Sequence, residues 1–252
     1  MRIIGGGFLA RSLARLADRH PGVTAFAAGV SRSGGATGAG FAREAALLYE
    51  TLRDCSRTGG RLLYFSTSSA GLYGYGEDRA PAVEDGPVRP VSAYGRHKLA
   101  MEEVIRSSGG EHVVLRLAYP VGRGQRTHQF LPSLVRQVRG GRVCVQRGAR
   151  RDLIGIRDVV ELVDGLLGLG GSPRLVNLAS GWAVPVEDIV AHIEYRLGTR
   201  AEHEVREVPR EGVVSTVLLR KLLPAATGER GFGPTYYRQV IDTYLSEQEC
   251  AP

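Results

Sequence analysis

The chain of 252 residues has little lysine, few cysteines and no long apolar run. Only two of its 33 Lys and Arg residues are lysines, Lys98 and Lys221. The cysteines, Cys55, Cys144 and Cys250, are odd in number and lack the spacing of metal ligands. They argue against a disulfide framework and against a zinc site, and they favour a reducing, cytoplasmic location.

Long apolar segments and basic runs are both missing. No apolar run approaches the ~20 residues that span a bilayer, so we expect no membrane partner. The first residues already read as a strand, so we expect no signal peptide. The net charge is +7, but acidic residues lie between the arginines and no basic run reaches five. This pattern argues against nucleic acid and suits a small anionic substrate such as a nucleoside diphosphate.

The scarcity of lysine makes the pair Tyr94 and Lys98 conspicuous. On a helix, residues four apart share a face. An ammonium there can stabilise a phenolate and lower the pKa of the tyrosine from its usual ~10. Tyr94 is therefore a candidate proton donor or acceptor. The alternative is a tyrosine and a lysine that merely share one exposed helix face.

Apolar periodicity predicts alternating strands and helices, which is typical of an α/β protein with a parallel sheet covered on both faces. A first helix, with Leu9, Leu13 and Leu16 at helical spacing, ends at Pro21-Gly22. The predicted strands are 2–4, 23–28, 61–65, 112–117, 152–156, 175–178 and 202–208. The later predicted helices are 41–56, 92–107, 128–138, 158–167, 185–197 and 235–247.

The segment from Gly5 to Ala10 fits the pattern G-x-G-x-x-A between a strand and a helix. Gly5 permits the tight turn, Gly7 lets a pyrophosphate approach the backbone, and Ala10 allows close packing of the helix on the strand. The helix N-terminus then offers free N–H groups to phosphate. The alternative is a tight turn without a ligand.

Dinucleotide-binding folds usually carry an acid after their second strand, where it holds the adenosine ribose. Here that strand runs into Gly29-Val-Ser-Arg-Ser33, which contains no carboxylate. Arg11 and Arg32 are the nearby charges. They favour the 2′-phosphate of NADP over the hydroxyl of NAD, unless both arginines are simply solvated.

Three motifs in order resemble the extended short-chain dehydrogenase/reductases that act on nucleotide sugars. They are the glycine turn, the segment Ser66-Thr-Ser-Ser-Ala-Gly-Leu-Tyr-Gly74, and Tyr94-x-x-x-Lys98. Further segments are also similar to the family, namely 115–122, 129–132, 151–158 and 175–181. The resemblance implies a Rossmann-like doubly wound parallel sheet at 1–122 and 152–180, with a small substrate lobe at 123–151 and 181–252.

The resemblance also implies the site residues. Ser69, with Ser68 as the fallback, would hydrogen-bond the substrate oxygen, Tyr94 would exchange its proton, and Lys98 would hold the nicotinamide ribose. The implied cofactor contacts are Gly5, Gly7, Phe8, Leu9, Arg11, Ala28, Gly29, Arg32, Ser66, Thr67, Tyr94, Lys98, Pro120 and Val121. The implied substrate contacts are Tyr119, Gln129, Arg151 and, as a weaker candidate, Arg220; Tyr119 departs from the asparagine of many relatives.

One departure from the family concerns the front of the chain. The segment from Phe26 to Ser31 resembles a strand that follows two further strand-helix units in the family, yet it comes here about fifteen residues after the glycine turn. The sequence therefore predicts a sheet that lacks two strands on its adenosine side. Such a sheet would bind NAD(P) less firmly.

The residues also narrow the reaction. Dehydratases of the family carry Asp-Glu after the catalytic Ser/Thr, where this chain has Ala70 and Gly71, so dehydration is excluded. We expect a reductase that uses NADPH in preference to NADH on a keto-deoxysugar linked to a nucleotide, dTDP above all. The alternatives are a nucleotide-sugar 4-epimerase with bound NAD and a non-catalytic nucleotide-binding relative. The family resemblance further implies a homodimer.

Overall fold

The computed structural model describes residues 1–30, 38–74, 76, 80–171 and 174–249. Within these residues the chain forms eleven strands, ten α-helices and a short 3-10 helix at Ala14–Leu16. The strands are β1 Arg2–Ile4, β2 Val23–Phe26, β3 Arg61–Thr67, β4 His112–Leu117, β5 Tyr119–Val121, β6 Arg142–Arg147, β7 Arg150–Arg151, β8 Leu153–Gly155, β9 Leu175–Leu178, β10 Val184–Pro185 and β11 Glu202–Glu207. The helices are α1 Phe8–Leu13, α2 Gly38–Thr58, α3 Ala70–Tyr73, α4 Ala93–Ser107, α5 Phe130–Arg139, α6 Ile156–Gly168, α7 Val186–Leu197, α8 Val217–Leu222, α9 Pro224–Glu229 and α10 Tyr236–Glu249.

Five strands form a parallel sheet in the order β1-β2-β3-β4-β9. The sheet confirms the predicted α/β class. In the described part of the chain no strand lies beyond β1, so β1 is an edge of the sheet. The prediction that the adenosine side is short is therefore confirmed for the described residues.

Helices cover both faces of this sheet, because the side chains of each strand alternate between the faces. On β3, Leu63 and Phe65 pack in one cluster with residues of α1 and α6. Leu62 and Tyr64 point the other way and pack with residues of α2 and α4. The sheet is thus doubly wound, and its buried strands are apolar on both sides, as expected for a parallel sheet.

A second apolar cluster lies outside the sheet and is built from α5, β6, α7 and α10. Sequence periodicity missed β6, although its buried Val143 and Val145 alternate with more exposed residues. Strand β6 pairs in parallel with β11, which is exposed along its whole length. Helix α8 packs instead with the sheet cluster through the buried Leu219. The division into domains at 123–151 and 181–252 stays a prediction.

Residues 208–216, which follow β11, form a strap between the two parts. On one side Val208 and Glu211 donate backbone N–H groups to the carbonyls of Arg147 and Gly148. On the other side the strap bonds to Gly76 and Ala82, which belong to the loop after α3. The strap therefore ties the second cluster to the carboxyl end of the sheet, where the candidate site lies. None of the helices formed by the described residues has the length and apolar content needed to cross a membrane.

Candidate functional site

Three hydroxyl groups meet after the carboxyl end of β3. Thr67 is the last residue of β3, Ser69 caps the N-terminus of α3, and Tyr94 lies in the first turn of α4. The Thr67 and Ser69 hydroxyls are 3.1 Å apart and hydrogen-bonded. Thr67 also makes a side-chain hydrogen bond with Tyr94. The predicted catalytic residues Ser69 and Tyr94 are thus joined through Thr67, while Ser68 donates its backbone N–H to Leu117.

A glycine beside Tyr94 fixes this arrangement. Helix α4 begins after Ser92, whose hydroxyl accepts the N–H of Gly95 at 2.9 Å, which is the usual cap of an N-terminus. A Cβ at position 95 would overlap the carbonyl oxygen of Gly71 in α3. Only glycine lets the two helices approach so closely, and the approach holds Tyr94 beside the end of β3.

Lys98 is buried and makes three hydrogen bonds. Its Nζ donates to Glu44 Oε1 at 2.8 Å, to the Tyr64 hydroxyl at 3.1 Å and to the carbonyl of Phe65 at 3.1 Å. An ammonium has three donors, so all of them are used. The predicted contact of Lys98 with a nicotinamide ribose would require it to exchange one of these partners.

Glu44 comes from α2 and is almost fully buried. Besides Lys98, its carboxylate accepts the Tyr64 hydroxyl at 2.7 Å and the backbone N–H of Val30 at 2.7 Å. His97 Nε2 lies 3.2 Å from it. Burial alone would raise the pKa of Glu44, but the Lys98 ammonium and these hydrogen bonds lower it below its ordinary value. Glu44 is therefore held as a carboxylate.

The Tyr94 phenol does not behave as the sequence predicted. Burial raises the pKa of Tyr94 well above the usual range, and electrostatic interactions with Glu44 and Tyr119 raise it further. The hydrogen bond with Thr67 lowers the pKa, but by less than the other causes raise it. The Lys98 Nζ lies 5.9 Å from the centre of the Tyr94 ring, but its charge is paired with Glu44. The expectation that Lys98 lowers the pKa of Tyr94 is wrong, and Tyr94 is an acid over the neutral range.

The predicted substrate residues Tyr119 and Arg151 lie together. The Arg151 guanidinium carbon is 5.1 Å from the centre of the Tyr119 ring and 5.3 Å from that of Phe130. This buried guanidinium pairs with Glu211 of the strap and reaches Gln146 Oε1 at 3.2 Å. Its Nε is buried and has no hydrogen-bond partner among the described residues. Tyr119 also interacts with Tyr94. Tyr119 and Arg151 therefore lie between the catalytic hydroxyls and Glu211 of the strap.

The other two predicted substrate residues have local partners. Gln129 caps α5, and its side-chain oxygen accepts the N–H of Arg126 at 3.0 Å. Arg220 is exposed on α8 and bonds to Thr216 and to the carbonyl of Ser180. Both assignments stay predictions.

A sequence model of the NAD dependent epimerase/dehydratase family matches residues 10–179. The chain belongs to this family. The resemblance drawn from the three motifs is therefore confirmed, and the glycine turn, the Ser69 segment and the tyrosine-lysine pair stand in a family that is named for its use of NAD.

Members and structural neighbours of the family include both reductases and epimerases. The dTDP-4-dehydro-6-deoxyglucose reductase of Escherichia coli is 26% identical over 144 residues, which cover 53% of this chain and 46% of that protein. The UDP-glucose 4-epimerase of Streptomyces lividans is 29% identical over 193 residues, which cover 64% of this chain and 54% of that protein. The chain thus spans about half the length of these curated relatives.

Among solved structures, RMD from Pseudomonas aeruginosa, complexed with NADPH, is similar over 99% of this chain and 98% of its own. The TM-score is 0.79 and the identity is 20%. This likeness confirms the Rossmann-like fold.

The glycine turn fits the dinucleotide that the family name implies. Gly7 caps α1 without any side chain, and a Cβ at this position would have no neighbour within 4 Å. The turn therefore leaves open space beside uncapped N–H groups, which suits a pyrophosphate. Gly5, Ala28 and Gly29 lie at the same end of β1 and β2 and would border that group.

The remaining predicted cofactor contacts are a mixed set. Ser66 is buried and donates to Glu102, so it could offer only its backbone. Val121 is buried in the second cluster. Phe8 is largely buried and Leu9 is partly buried, and Pro120 lies in β5. All of these assignments stay predictions.

The argument for NADP needs a correction. In the Rossmann order 3-2-1-4-5-6, a strand between β1 and β3 takes the place of the fourth strand, and β2 lies there. The residues after β2 are therefore not where a ribose-binding acid is expected, and its absence says nothing about NADP. Arg11 bonds to the carbonyls of Gly6 and Gly124, and Arg32 lies outside the described residues.

Two acidic residues of the site escaped the sequence prediction. Glu44 stands in the buried stripe of α2, which contains Glu44, Leu48, Thr51 and Cys55. A carboxylate at that helical spacing among buried residues was the available signal. Glu211 gave no signal, because only the path of the strap brings it to Arg151 across 60 residues.

Proposed function

We propose that this family member is a ketoreductase that acts on a keto-deoxysugar linked to a nucleotide, dTDP above all. Tyr94 gives its hydroxyl proton to the sugar oxygen, and Ser69 hydrogen-bonds the same oxygen. The observation that carries the proposal is the position of the Tyr94 hydroxyl, which is hydrogen-bonded to Thr67, whose hydroxyl is in turn bonded to that of Ser69. A protonated phenol within hydrogen-bond reach of the substrate oxygen can donate its proton to an alkoxide as it forms.

NADPH or NADH, when bound, would supply the hydride that reduces the carbonyl carbon. The chain's own part is to orient the carbonyl, to exclude water from the buried hydroxyl group of Tyr94, and to provide the proton. The residues after Ser69 are Ala70 and Gly71, which offer no acid or base for eliminating water. NADPH is the proposed cofactor in preference to NADH, and its 2′-phosphate would have to draw the exposed Arg11 away from the carbonyls of Gly6 and Gly124.

A nucleotide diphosphate is supported as the substrate handle by Arg151. Its guanidinium keeps a buried Nε donor without a partner among the described residues, and guanidinium groups suit phosphate. Tyr119 lies between the Arg151 guanidinium and Tyr94 and interacts with both. The Escherichia coli relative is named for a dTDP-linked dehydro-deoxysugar, which supports dTDP for this chain.

The direct test is titration of NADPH, and then of NADH, into purified protein, followed by assay with a dTDP-4-keto-6-deoxyhexose. We expect tighter binding of NADPH and consumption of the reduced cofactor only when the keto-sugar is present. Failure of the protein and substrate to oxidise either cofactor would refute the reductase function.

Two other functions predict different results in the same experiments. A 4-epimerase, as in the Streptomyces lividans relative, would carry tightly bound NAD through purification, visible as nucleotide absorbance. A non-catalytic binding protein is supported by the short sheet, and it would bind nucleotide sugar without turnover.

Glu211 should compete with the substrate diphosphate for Arg151. We expect Glu211→Gln to tighten binding of dTDP by roughly tenfold, about 1.4 kcal/mol, because it removes the carboxylate from the guanidinium. Calorimetric titration of dTDP measures the change. Glu207→Gln is the matched control, since Glu207 pairs with Arg147 on the exposed surface. Equal or weaker binding by Glu211→Gln would show that dTDP does not use Arg151.

We also propose that the protein is a homodimer. A groove between α2 and α4 supports this proposal; Tyr49, Leu52, Arg53, Glu103 and Val104 are among the residues that line it. Tyr49 is 58% exposed and would be covered in such a dimer. Light scattering of the purified protein tests the dimer. A cytoplasmic location stays a prediction from the cysteines.

A further inference from the structure

The segment between β1 and β2 contains no further strand. Residues 5–22 are all described, and they form the glycine turn, α1, the 3-10 helix and a final turn. Strand β2 then pairs directly with β1, with Ile3 opposite Ala25. In the Rossmann order 3-2-1-4-5-6, the second and third strands lie beyond the first. This segment therefore passes from the first strand to the strand on its inner side and builds neither of those two.

The two strands matter for one half of a dinucleotide. The acid that holds the adenosine ribose in this fold follows the second strand, which would lie along the outer edge of β1. In the part of the chain that the structure describes, no strand pairs with β1 on that side. The described sheet thus offers no strand end against which adenosine would lie.

The glycine turn is fixed against the inner strand. Gly5 has a φ of 125°, which glycine adopts readily, and a Cβ there would come within 2.6 Å of the carbonyl oxygen of Ala27. Ala27 follows β2, and its N–H donates to the carbonyl of Ile4 at 2.8 Å. A Cβ at Gly7 would meet no atom within 4 Å. The turn therefore leaves room for a phosphate and is braced by the strand that the chain retains.

The side of the crevice that leads to the catalytic hydroxyls is well built. The segment after β4 packs closely at Gly122, where a Cβ would overlap Ile156 of α6 and lie 3.4 Å from the Phe8 ring. At the end of β3, Tyr94 is bonded to Thr67. The elements suited to the nicotinamide half are therefore present, whereas those for the adenosine half are not found among the described residues.

We propose that this chain binds its cofactor through the nicotinamide mononucleotide half, so that reduced nicotinamide mononucleotide (NMNH) can replace NADH. The inference rests on the proposed function for the reaction itself. The hydride would pass from the dihydronicotinamide ring, which becomes the pyridinium, to the carbonyl carbon, and the proton of Tyr94 would pass to its oxygen. Adenosine takes no part in this transfer, so its removal would act on binding alone.

One group of the adenosine half still has a charged neighbour. Arg11 is exposed beside the glycine turn, where it donates to the carbonyl of Gly6 at 2.8 Å and to that of Gly124 at 3.0 Å. The 2′-phosphate of NADPH could take up this guanidinium, whereas NADH has a hydroxyl at that position. A preference for NADPH is therefore compatible with an adenine that makes no contact.

The test is calorimetric titration of NMNH, NADH and NADPH into purified protein without substrate. We expect the dissociation constants of NMNH and NADH to agree within about threefold, because an adenosine without contacts adds little affinity. Saturation-transfer NMR of NADH should show transfer to the nicotinamide protons and not to the adenine protons. A larger difference in affinity in favour of NADH, or equal transfer to both rings, would overturn the proposal.

The variant Gly7→Ala tests the phosphate that NMNH and NADH share. The φ of Gly7 is −78° and the new methyl group would have no neighbour, so the fold should persist. The methyl group would fill the space left for the phosphate, so both ligands should lose affinity by the same factor, roughly tenfold. A loss for NADH without a loss for NMNH would show that the turn holds the adenosine phosphate, contrary to the proposal.

The variant Arg11→Gln tests the 2′-phosphate. In it, NADPH should bind no more tightly than NADH, while NADH and NMNH should still match each other. Arg15→Gln is the matched control, since Arg15 lies one helical turn further on and pairs with Glu161 on the exposed surface; it should keep the preference for NADPH. If Arg11→Gln weakens NADH relative to NMNH, Arg11 contacts the adenosine of NADH and the proposal is wrong.

These results are separable from the proposed reaction. Binding of NADH far more tightly than NMNH would overturn the inference and leave the ketoreductase function standing. Matched binding of NMNH and NADH without turnover of a keto-sugar would support the inference and refute the reductase. Binding of none of the three ligands would overturn both.

Discussion

Tyr94→Phe is expected to lower kcat for reduction of a dTDP-4-keto-6-deoxyhexose by a factor of about 10²–10⁴, while the affinity for NADPH stays unchanged. The reason is that the substitution removes the proton donor and leaves the ring in place, and general acid catalysis contributes about that much. Steady-state kinetics give kcat, and calorimetric titration gives the affinity.

Tyr195→Phe is the control, because Tyr195 is 79% exposed on α7 and lies away from the hydroxyls of Thr67, Ser69 and Tyr94. It should leave both quantities unchanged. A Tyr94→Phe variant that retained most of its turnover would mean that Ser69 or water delivers the proton. The assignment of the acid would then move to the end of β3.

The largest effect on stability is expected at a second buried pair one helical turn beyond Lys98. Arg116 of β4 is bound by Glu102 of α4 at 2.8 Å, and it also donates to the Tyr73 hydroxyl and to the carbonyl of Glu84. Glu102→Ala should lower the free energy of unfolding by about 3–5 kcal/mol, because it leaves the Arg116 charge buried without its counter-ion. Equilibrium unfolding in urea measures this.

The neighbouring residue provides the matched control. Glu103 pairs with Arg106 on the exposed side of the same helix, so Glu103→Ala should leave the unfolding midpoint nearly unchanged. If the loss in Glu102→Ala comes from the stranded charge, the double variant Glu102→Leu/Arg116→Met should recover most of it. A double variant as unstable as the single one would point instead to lost packing.

The fold was largely predictable because its elements are long and periodic. All seven predicted strands exist, and β2, at Val23–Phe26, merely stops two residues before the prediction. The strand β6 was missed although its buried Val143 and Val145 alternate with more exposed residues. The short helices α8 and α9 were missed because six residues give too little periodicity to read.

The site was only half accessible to the sequence. The spacing of Tyr94 and Lys98 placed them on one helix face, and the structure has them there. No pattern in the sequence shows that Glu44 pairs with the lysine, since 54 residues separate them. The inferred pKa of Tyr94 was therefore wrong in direction. Burial and the charge of Glu44 on another helix raise the pKa of Tyr94. The spacing of residues within one helix predicts neither effect.

The early end of the sheet at β1 also bears on solubility. An edge strand exposes unpaired backbone groups that can join the sheet of another molecule. Here β1 has only three residues, and its first side chain, Arg2, is exposed and paired with Asp54. A short strand that carries a charge is a poor template for such joining. The described sheet can therefore be two strands shorter than the family's without exposing an edge that pairs readily with another molecule.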